Sequence, residues 1–217
     1  MCLKAKARGV STAVRGKWKA KKWYTVLAPE AFNSIPIGTI PTDEGWKLLG
    51  RVIETTLFDL TGDFTKHYIH LYFQVFNYDE ATATAYTRFK GHELSRDYVK
   101  SIIRRKSSKI AGIVNVTTSD GYVLRVIGLV LTAYNCNTSH KRAIRKVVFQ
   151  TLSEWAQKNT FDEFVKAMVF GNLAVELMVR AKKIYPVRKA EVYKSKLLAV
   201  PTPEGPRPAV IVARKPL

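Results

Sequence analysis

The chain has 217 residues, with 36 Lys and Arg against 17 Asp and Glu, and a formal net charge of +19. Hydrophobic residues make up 47% of the chain, which excludes a disordered basic tail and predicts a folded body with a core. Because such an excess of charge repels itself, it predicts a polyanionic partner, either nucleic acid or a membrane surface.

The cysteines and the apolar stretches of the sequence indicate the cellular compartment in which the protein is expected. The two cysteines, Cys2 and Cys136, offer no disulfide framework, so a reducing, cytosolic setting is expected. The basic N-terminus is not followed by an apolar stretch, which argues against a signal peptide. Apolar runs are far shorter than the roughly 20 residues that cross a bilayer, so a soluble protein with no membrane partner is predicted.

Residues 1–29 are predicted to form a basic RNA-binding arm, because no acid precedes Glu30. Toward the end of the arm, lysines alternate with large aromatics. Lysines reach phosphates and aromatic rings stack on bases, so both types are predicted to contact RNA. The alternative, in which the tryptophans anchor the arm to the protein's own core, stays open, and both can hold. The predicted contacts in the arm are Lys17, Trp18, Lys19, Lys21, Lys22 and Trp23.

Residues 30–200 are predicted to form a single β-rich body. Pro and Gly are frequent over 29–46, which indicates a loop. Alternating polarity and β-branched residues then predict strands, and Asp120-Gly121 predicts a hairpin turn. These residues leave the arrangement open as a sheet or a barrel. The predicted strands are 51–60, 68–76, 82–90, 113–118, 122–132 and 187–200.

Helical periodicity predicts three helices, near residues 95–106, 139–158 and 160–184. At the start of the third, Thr160 and Glu163 fit a capping box, in which each side chain satisfies an open backbone donor. Five of the nine prolines fall within residues 201–217. This segment is therefore predicted to be a proline-rich extended tail.

The second predicted helix begins with an unusual concentration of cations. Cations near a helix N-terminus oppose the helix dipole, so folding alone would favour acids there. An external anion removes the conflict, and RNA phosphate is the predicted one. The alternative is a solvated basic face that the fold tolerates at a small cost. The residues concerned are Lys141, Arg142, Arg145 and Lys146.

Two further basic clusters flank the other predicted helices. Cations at a helix C-terminus favour folding itself, so these clusters indicate RNA less strongly than the one that begins at Lys141. The cluster at the first helix is predicted to contact RNA through Arg96, Arg104, Arg105 and Lys106. The cluster around Pro186 consists of Arg180, Lys182, Lys183, Arg188 and Lys189.

Motifs that carry catalysis are missing from the sequence. It contains no Walker-type phosphate loop and no glycine-rich dinucleotide fingerprint. The Cys and His residues do not have the spacing of zinc ligands. His92 with Glu93 and Asp97 could be imagined as an acid–base set, but a polar cluster at the start of a helix is the preferred interpretation. An RNA-processing enzyme and a peripheral membrane protein are therefore the weaker alternatives to a structural RNA-binding protein.

Several short motifs, taken in order, are similar to those of one known family. These motifs are Lys17–Lys19, Trp23–Tyr24, Ala28–Glu30, Leu60–Asp63, Gly91–Tyr98, Val116–Tyr122, Arg142–Lys146 and Ile184–Pro186. On these motifs, and over roughly residues 17–200, the chain closely resembles the S3Ae (eS1) family of small-subunit ribosomal proteins, which archaea and eukaryotes share and bacteria lack. Two stretches, 60–63 and 167–171, resemble the archaeal members.

The resemblance implies a structural constituent of the small ribosomal subunit, bound to small-subunit rRNA on the platform near the messenger RNA exit. It implies no catalysis, no required cofactor or metal, and no small-molecule substrate. The implied partners are that rRNA, neighbouring small-subunit proteins and messenger RNA near the exit, in the cytoplasm. It also implies a β-barrel-like central body, so the predicted fold is α+β, with three packed helices and an extended basic N-terminal arm.

Overall fold

The computed structural model describes residues 21–203 and 205–211. These residues confirm the α+β class, with nine strands in one mixed sheet and five α-helices among them. The strands are β1 (Lys22–Leu27), β2 (Pro36–Thr42), β3 (Val52–Thr56), β4 (Ile69–Asp79), β5 (Thr84–Leu94), β6 (Lys109–Thr117), β7 (Val123–Thr132), β8 (Val187–Val200) and β9 (Arg207–Pro208). The helices are α1 (Leu57–Thr61), α2 (Arg96–Ile102), α3 (Thr138–Lys158), α4 (Phe161–Phe170) and α5 (Asn172–Lys182).

The sheet branches at β5 instead of closing into the predicted barrel. One edge of β5 pairs with β4, which continues to β3. The other edge is shared, because β1 pairs in parallel with its first residues and β8 pairs with Gly91–Glu93. From there the sheet runs through β8 and β7 to β6, and the outer strands β2, β3 and β6 do not pair with one another. The described strands therefore form an open sheet, and the barrel-like expectation is wrong.

The junction between β5 and β8 is short and tightly built. A Cβ atom on Gly91 would lie 2.3 Å from the carbonyl oxygen of Ser195, so this approach requires glycine. Beside it, His92 Nδ1 lies 2.6 Å from Ser195 Oγ, and His92 Nε2 lies 3.1 Å from the Val192 carbonyl oxygen. Burial lowers the pKa of His92 to about 4, so the ring is neutral at pH 7. His92 thus joins two strands within the core and does not belong to a polar cluster at a helix start.

Two predictions for the first part of the body are wrong. The predicted loop over 29–46 contains β2, which pairs with β1. Because β2 is an edge strand, it tolerates Pro36 and Pro41, whose missing amides no neighbouring strand requires. The strand predicted over 51–60 ends at Thr56, whose side chain accepts a hydrogen bond from the Asp59 amide in the capping box that begins α1.

Two of the predicted helices are shorter in the structure, because the backbone leaves the helical conformation within the predicted range. The helix predicted near 160–184 is divided into α4 and α5, because Gly171 adopts a φ of 96° and ends α4. The helix predicted near 95–106 ends at Ile102, because Ile103 adopts an extended conformation with a ψ of 123°. A turn follows, in which the amide and hydroxyl of Ser107 both donate to the Arg104 carbonyl oxygen. None of the described helices is long and apolar enough to cross a membrane.

Two glycines allow α3 to lie close against the sheet. Gly112 of β6 and Gly128 of β7 are paired directly across the two strands. A Cβ atom on Gly128 would lie 2.8 Å from Val148 Cγ1, so a larger residue would press the helix outward. The helix buries Ile144, Val148 and Leu152 on the sheet side. This packing fixes the position of the helix whose first turns carry a basic cluster.

Candidate nucleic-acid interface

The register of three strands brings separate basic clusters to one end of the sheet. Lys109 at the start of β6 pairs with Leu131 near the end of β7. Leu131 in turn pairs with Lys189 near the start of β8. The loop before β6, the segment between β7 and α3, and the turn between α5 and β8 therefore meet at this end.

Hydrogen bonds between these three segments hold them together. Ser108 Oγ donates to Asn135 Oδ1 at 2.9 Å, which joins the loop before β6 to the segment that leads into α3. The Tyr185 hydroxyl donates to the Asn135 carbonyl oxygen at 2.9 Å. The Ala133 amide donates to the Pro186 carbonyl oxygen at 2.9 Å. The backbone that carries the cations is thus fixed by uncharged polar contacts.

We call the surface formed at this end the basic end. Arg142 and Lys146 lie one turn apart on α3, on the face opposite the buried Ile144 and Val148. Among the described residues, none of the cations of the basic end takes part in an ion pair. These cations are Arg104, Arg105, Lys106 and Lys109 from the loop, Lys141, Arg142, Arg145 and Lys146 from α3, and Lys182, Lys183 and Arg188 around Pro186.

Acids are nearly absent from the segments that form the basic end. Between Asp97 and Glu154 the sequence holds a single acid, Asp120. Asp120 lies in the turn at the other end of the β6–β7 hairpin, where its carboxylate accepts the Phe161 amide at 2.7 Å. The first turn of α3 contains no acid, although the helix dipole would favour one there. The basic end is therefore a surface of one sign.

The structure separates the predicted cluster around Pro186 into two groups. The Arg180 guanidinium lies 2.7 Å from the carboxylates of both Glu154 and Glu176, and so ties α5 to α3. Hydrogen bonds to these carboxylates raise the pKa of Arg180. Lys189 lies 3.3 Å from the Glu191 carboxylate. Arg180 and Lys189 thus stabilise the fold, whereas the exposed cations of this cluster are Lys182, Lys183 and Arg188.

The predicted contacts of the N-terminal arm do not join the basic end. Lys21, Lys22 and Trp23 lie at or beside the start of β1, which pairs with the first residues of β5, whereas β8 pairs with Gly91–Glu93 further along the same edge. The Trp23 side chain is 57% exposed, whereas the Tyr24 ring is buried and anchors the strand. Trp23 is therefore accessible to a ligand and is not a core residue. The predictions for Lys17, Trp18 and Lys19 lie outside the described residues.

Two more exposed residues, Arg96 and Tyr134, lie at or near the basic end. Arg96 is exposed at the first residue of α2, about 10 Å along the helix from the basic loop, so it flanks the basic end. Tyr134 is 68% exposed between β7 and α3 and was missed, because a lone aromatic in a loop has no periodic signal. Within residues 21–203 and 205–211, no group of three His, Cys, Asp or Glu side chains could hold a metal ion.

Comparisons with known proteins connect this geometry to one family. The family model of the ribosomal S3Ae family matches residues 9–201 of this chain. A protein of Staphylothermus marinus named small ribosomal subunit protein eS1 is 58% identical over 201 residues, which cover 93% of this chain and 94% of that protein. A protein of the same name from Ignicoccus hospitalis is 52% identical, and the match covers 99% of this chain and 100% of that protein. Another from Saccharolobus solfataricus is 53% identical, and the match covers 87% of this chain and 90% of that protein. These matches confirm the predicted resemblance and a structural component rather than an enzyme. The chain belongs to the ribosomal S3Ae family.

Proposed function

We propose that this protein is a structural constituent of the small ribosomal subunit, which binds small-subunit rRNA and takes part in translation without catalysing a reaction. The observation that carries the proposal is the basic end, where cations from three segments converge without an ion pair among the described residues. Neutralising closely spaced phosphates releases their condensed counterions, so RNA relieves the repulsion between these cations. The name of the relatives, small ribosomal subunit protein eS1, supports the same particle.

The proposal also covers location and partners. The proposed location is the platform of the small subunit near the messenger RNA exit, in the cytoplasm. Neighbouring small-subunit proteins and messenger RNA near the exit are the further proposed partners. The support for this finer placement is the resemblance of the sequence motifs to the S3Ae family.

A second RNA contact is proposed through the N-terminal arm. The proposed organisation is an RNA-binding arm over 1–29, a body over 30–200 and an extended tail over 201–217. The exposed Lys22 and Trp23 lie where the arm enters the sheet, and together they offer a phosphate ligand and a stacking surface. The basic end lies elsewhere in the sheet, where β6 and β8 begin and β7 ends. RNA bound at both places would therefore contact the two halves of the sheet.

Charge reversal at the start of α3 tests the proposal. The variant replaces Lys141, Arg142, Arg145 and Lys146 by Glu, and we expect it to bind small-subunit rRNA more weakly while its stability is kept. Acids near a helix N-terminus contribute about 0.3–1 kcal/mol of stability, so the free energy of unfolding should stay equal or rise. RNA affinity is measured by filter binding, and stability by chemical denaturation.

A smaller matched pair separates location from net charge. The test variant carries Lys141→Glu and Arg142→Glu, and the control carries Lys158→Glu and Lys166→Glu, with the same change in net charge. Lys158 and Lys166 are exposed at the other end of α3 and on α4. The test variant should lose more affinity than the control. Equal losses, or unfolding of the test variant without a separate loss of binding, would show that the cations only form a solvated face.

A further inference from the structure

Tyr134 occupies the junction of the three segments that form the basic end. It follows β7 and precedes the segment that enters α3. Its neighbour Asn135 contacts Ser108 of the loop and Tyr185 of the turn before β8. The three segments that carry the cations of the basic end therefore meet beside Tyr134. The ring itself is 68% exposed.

The backbone around Tyr134 is fixed although its ring is not packed. Thr132 Oγ1 donates to the Tyr134 carbonyl oxygen at 2.6 Å. The Ala133 amide donates to the Pro186 carbonyl oxygen, and Asn135 Oδ1 accepts hydrogen bonds from Ser108 and from the Cys136 amide. Among the described residues, the Tyr134 ring stacks on no aromatic and its hydroxyl has no hydrogen bond. The backbone that presents the ring is thus held in place, while the ring is left open to a partner outside the chain.

We propose that Tyr134 is a binding site for an unpaired RNA base, which stacks on its ring while the surrounding cations hold the adjacent phosphates. This inference rests on the proposed RNA-binding function and names the part of the RNA that the basic end recognises. Duplex bases are already stacked on one another and are closed to such a ring, so the preferred ligand is a single-stranded loop, bulge or end. A fixed backbone reduces the ordering that binding requires.

The location of other aromatics supports the choice of Tyr134. Phe149 is exposed on α3 beyond Arg145, but its ring packs near the strand at Gly112, since a Cβ atom there would lie 3.2 Å from it. Trp23 lies on β1, which takes no part in the basic end. Phe64 is more exposed, at 72%, but lies between α1 and β4, outside the basic end. Among the described residues, Tyr134 therefore combines a largely exposed aromatic ring with a position inside the basic end.

The test compares two probes with the full-length chain: a single-stranded oligoadenylate and an RNA duplex of the same phosphate count. We expect Tyr134→Ala to weaken binding of the oligoadenylate by about 10- to 100-fold, the usual loss for one stacked base, with little effect on the duplex. Tyr134→Phe should bind both as the unchanged chain does. Tyr86→Ala is the control, because Tyr86 is also exposed but lies on β5.

Two further readouts keep the inference separate from folding and from the proposed function. Irradiation of the unchanged chain with a 4-thiouridine oligonucleotide should give a crosslink at Tyr134, identified by mass spectrometry. If the unchanged chain binds RNA but Tyr134→Ala binds oligoadenylate equally well, and no crosslink forms at Tyr134, the stacking inference is wrong while the proposed function stands. If the unchanged chain binds neither probe, the proposed RNA-binding function itself is contradicted.

Discussion

The Ser108 hydroxyl lies 2.9 Å from the side-chain oxygen of Asn135, and this contact joins two of the three basic segments. The same hydroxyl accepts the Cys136 amide at 3.1 Å, just before α3 begins. Ser108 is buried together with its bond to the Cys136 amide, whereas Asn135 is exposed. The position of the basic end therefore depends on contacts that carry no charge.

Replacing Ser108 by Ala should lower the free energy of unfolding by about 1–3 kcal/mol, because it removes two hydrogen bonds that contribute about 0.5–1.5 kcal/mol each. Urea denaturation measures the change. Ser119→Ala is the matched control: its hydroxyl donates to the Asn159 carbonyl oxygen at 2.8 Å, but the residue is exposed. The control should lose less than about 1 kcal/mol, since water can replace its bond. Equal losses would contradict a special role for the buried contact.

Gly128→Ala should destabilise the fold by about 1–3 kcal/mol, because the added methyl group would overpack the interface between the sheet and α3. Its nearest atom, Val148 Cγ1, lies in a fully buried side chain that cannot turn aside. Gly38→Ala is the control, since a Cβ atom at Gly38 would meet no atom within 4 Å. Thermal unfolding compares the two. A Gly128→Ala protein as stable as the Gly38→Ala protein would show that α3 is not pressed against this strand pair.

Acid should weaken the fold through His92. Its pKa is about 4 in the folded chain and 6.5 ordinarily, so between these values the unfolded chain takes up a proton that the folded chain refuses. The contribution to stability is complete above pH 6.5 and is lost as the pH falls toward 4, by about 3 kcal/mol in all. Denaturation at several pH values measures it. His92→Gln should remove this part of the pH dependence, whereas His67→Gln, which replaces an exposed histidine, should keep it. If both variants keep the full dependence, the buried ring is not its source.

The elements predicted well from the sequence are those set by local signals. The Asp120-Gly121 turn, with Gly121 at a φ of 80°, and the alternation over 68–76, nearly all of which lies in β4, each depend on residues close in the chain. By contrast, β2 depends on pairing with β1. Its prolines argue against a strand in the sequence, although an edge strand tolerates them. The branching of the sheet at β5 was equally hidden, since it depends on pairing with β1 and β8, far away in the chain.

The candidate site was predicted in parts but not as a whole. Charge and the helix dipole singled out the cluster that begins at Lys141, which uses only neighbouring residues. Its convergence with the loop at Arg104 follows from the strand order β8, β7, β6, which no local pattern encodes. For Arg180 the sequence left RNA contact and a role in folding open, because the Glu154 carboxylate that binds it lies on another helix.

The three basic segments are proposed to act as one RNA-binding surface, and the salt dependence of RNA binding tests this most directly. Three variants neutralise one segment each by substitution to Gln, and a fourth combines them. For each, the slope of the logarithm of the small-subunit rRNA association constant against the logarithm of salt concentration is measured. The neutralised segments are Arg104, Arg105 and Lys106; Lys141, Arg142, Arg145 and Lys146; and Lys182, Lys183 and Arg188.

We expect the unchanged chain to show a steep slope and each variant a smaller one, reduced by about 0.9 for every duplex phosphate contact that is lost. The combined variant should show the sum of the three reductions. Binding by the unchanged chain that barely changes between low and moderate salt, or a combined variant no different from the Lys141 segment alone, would contradict a single surface built from all three segments.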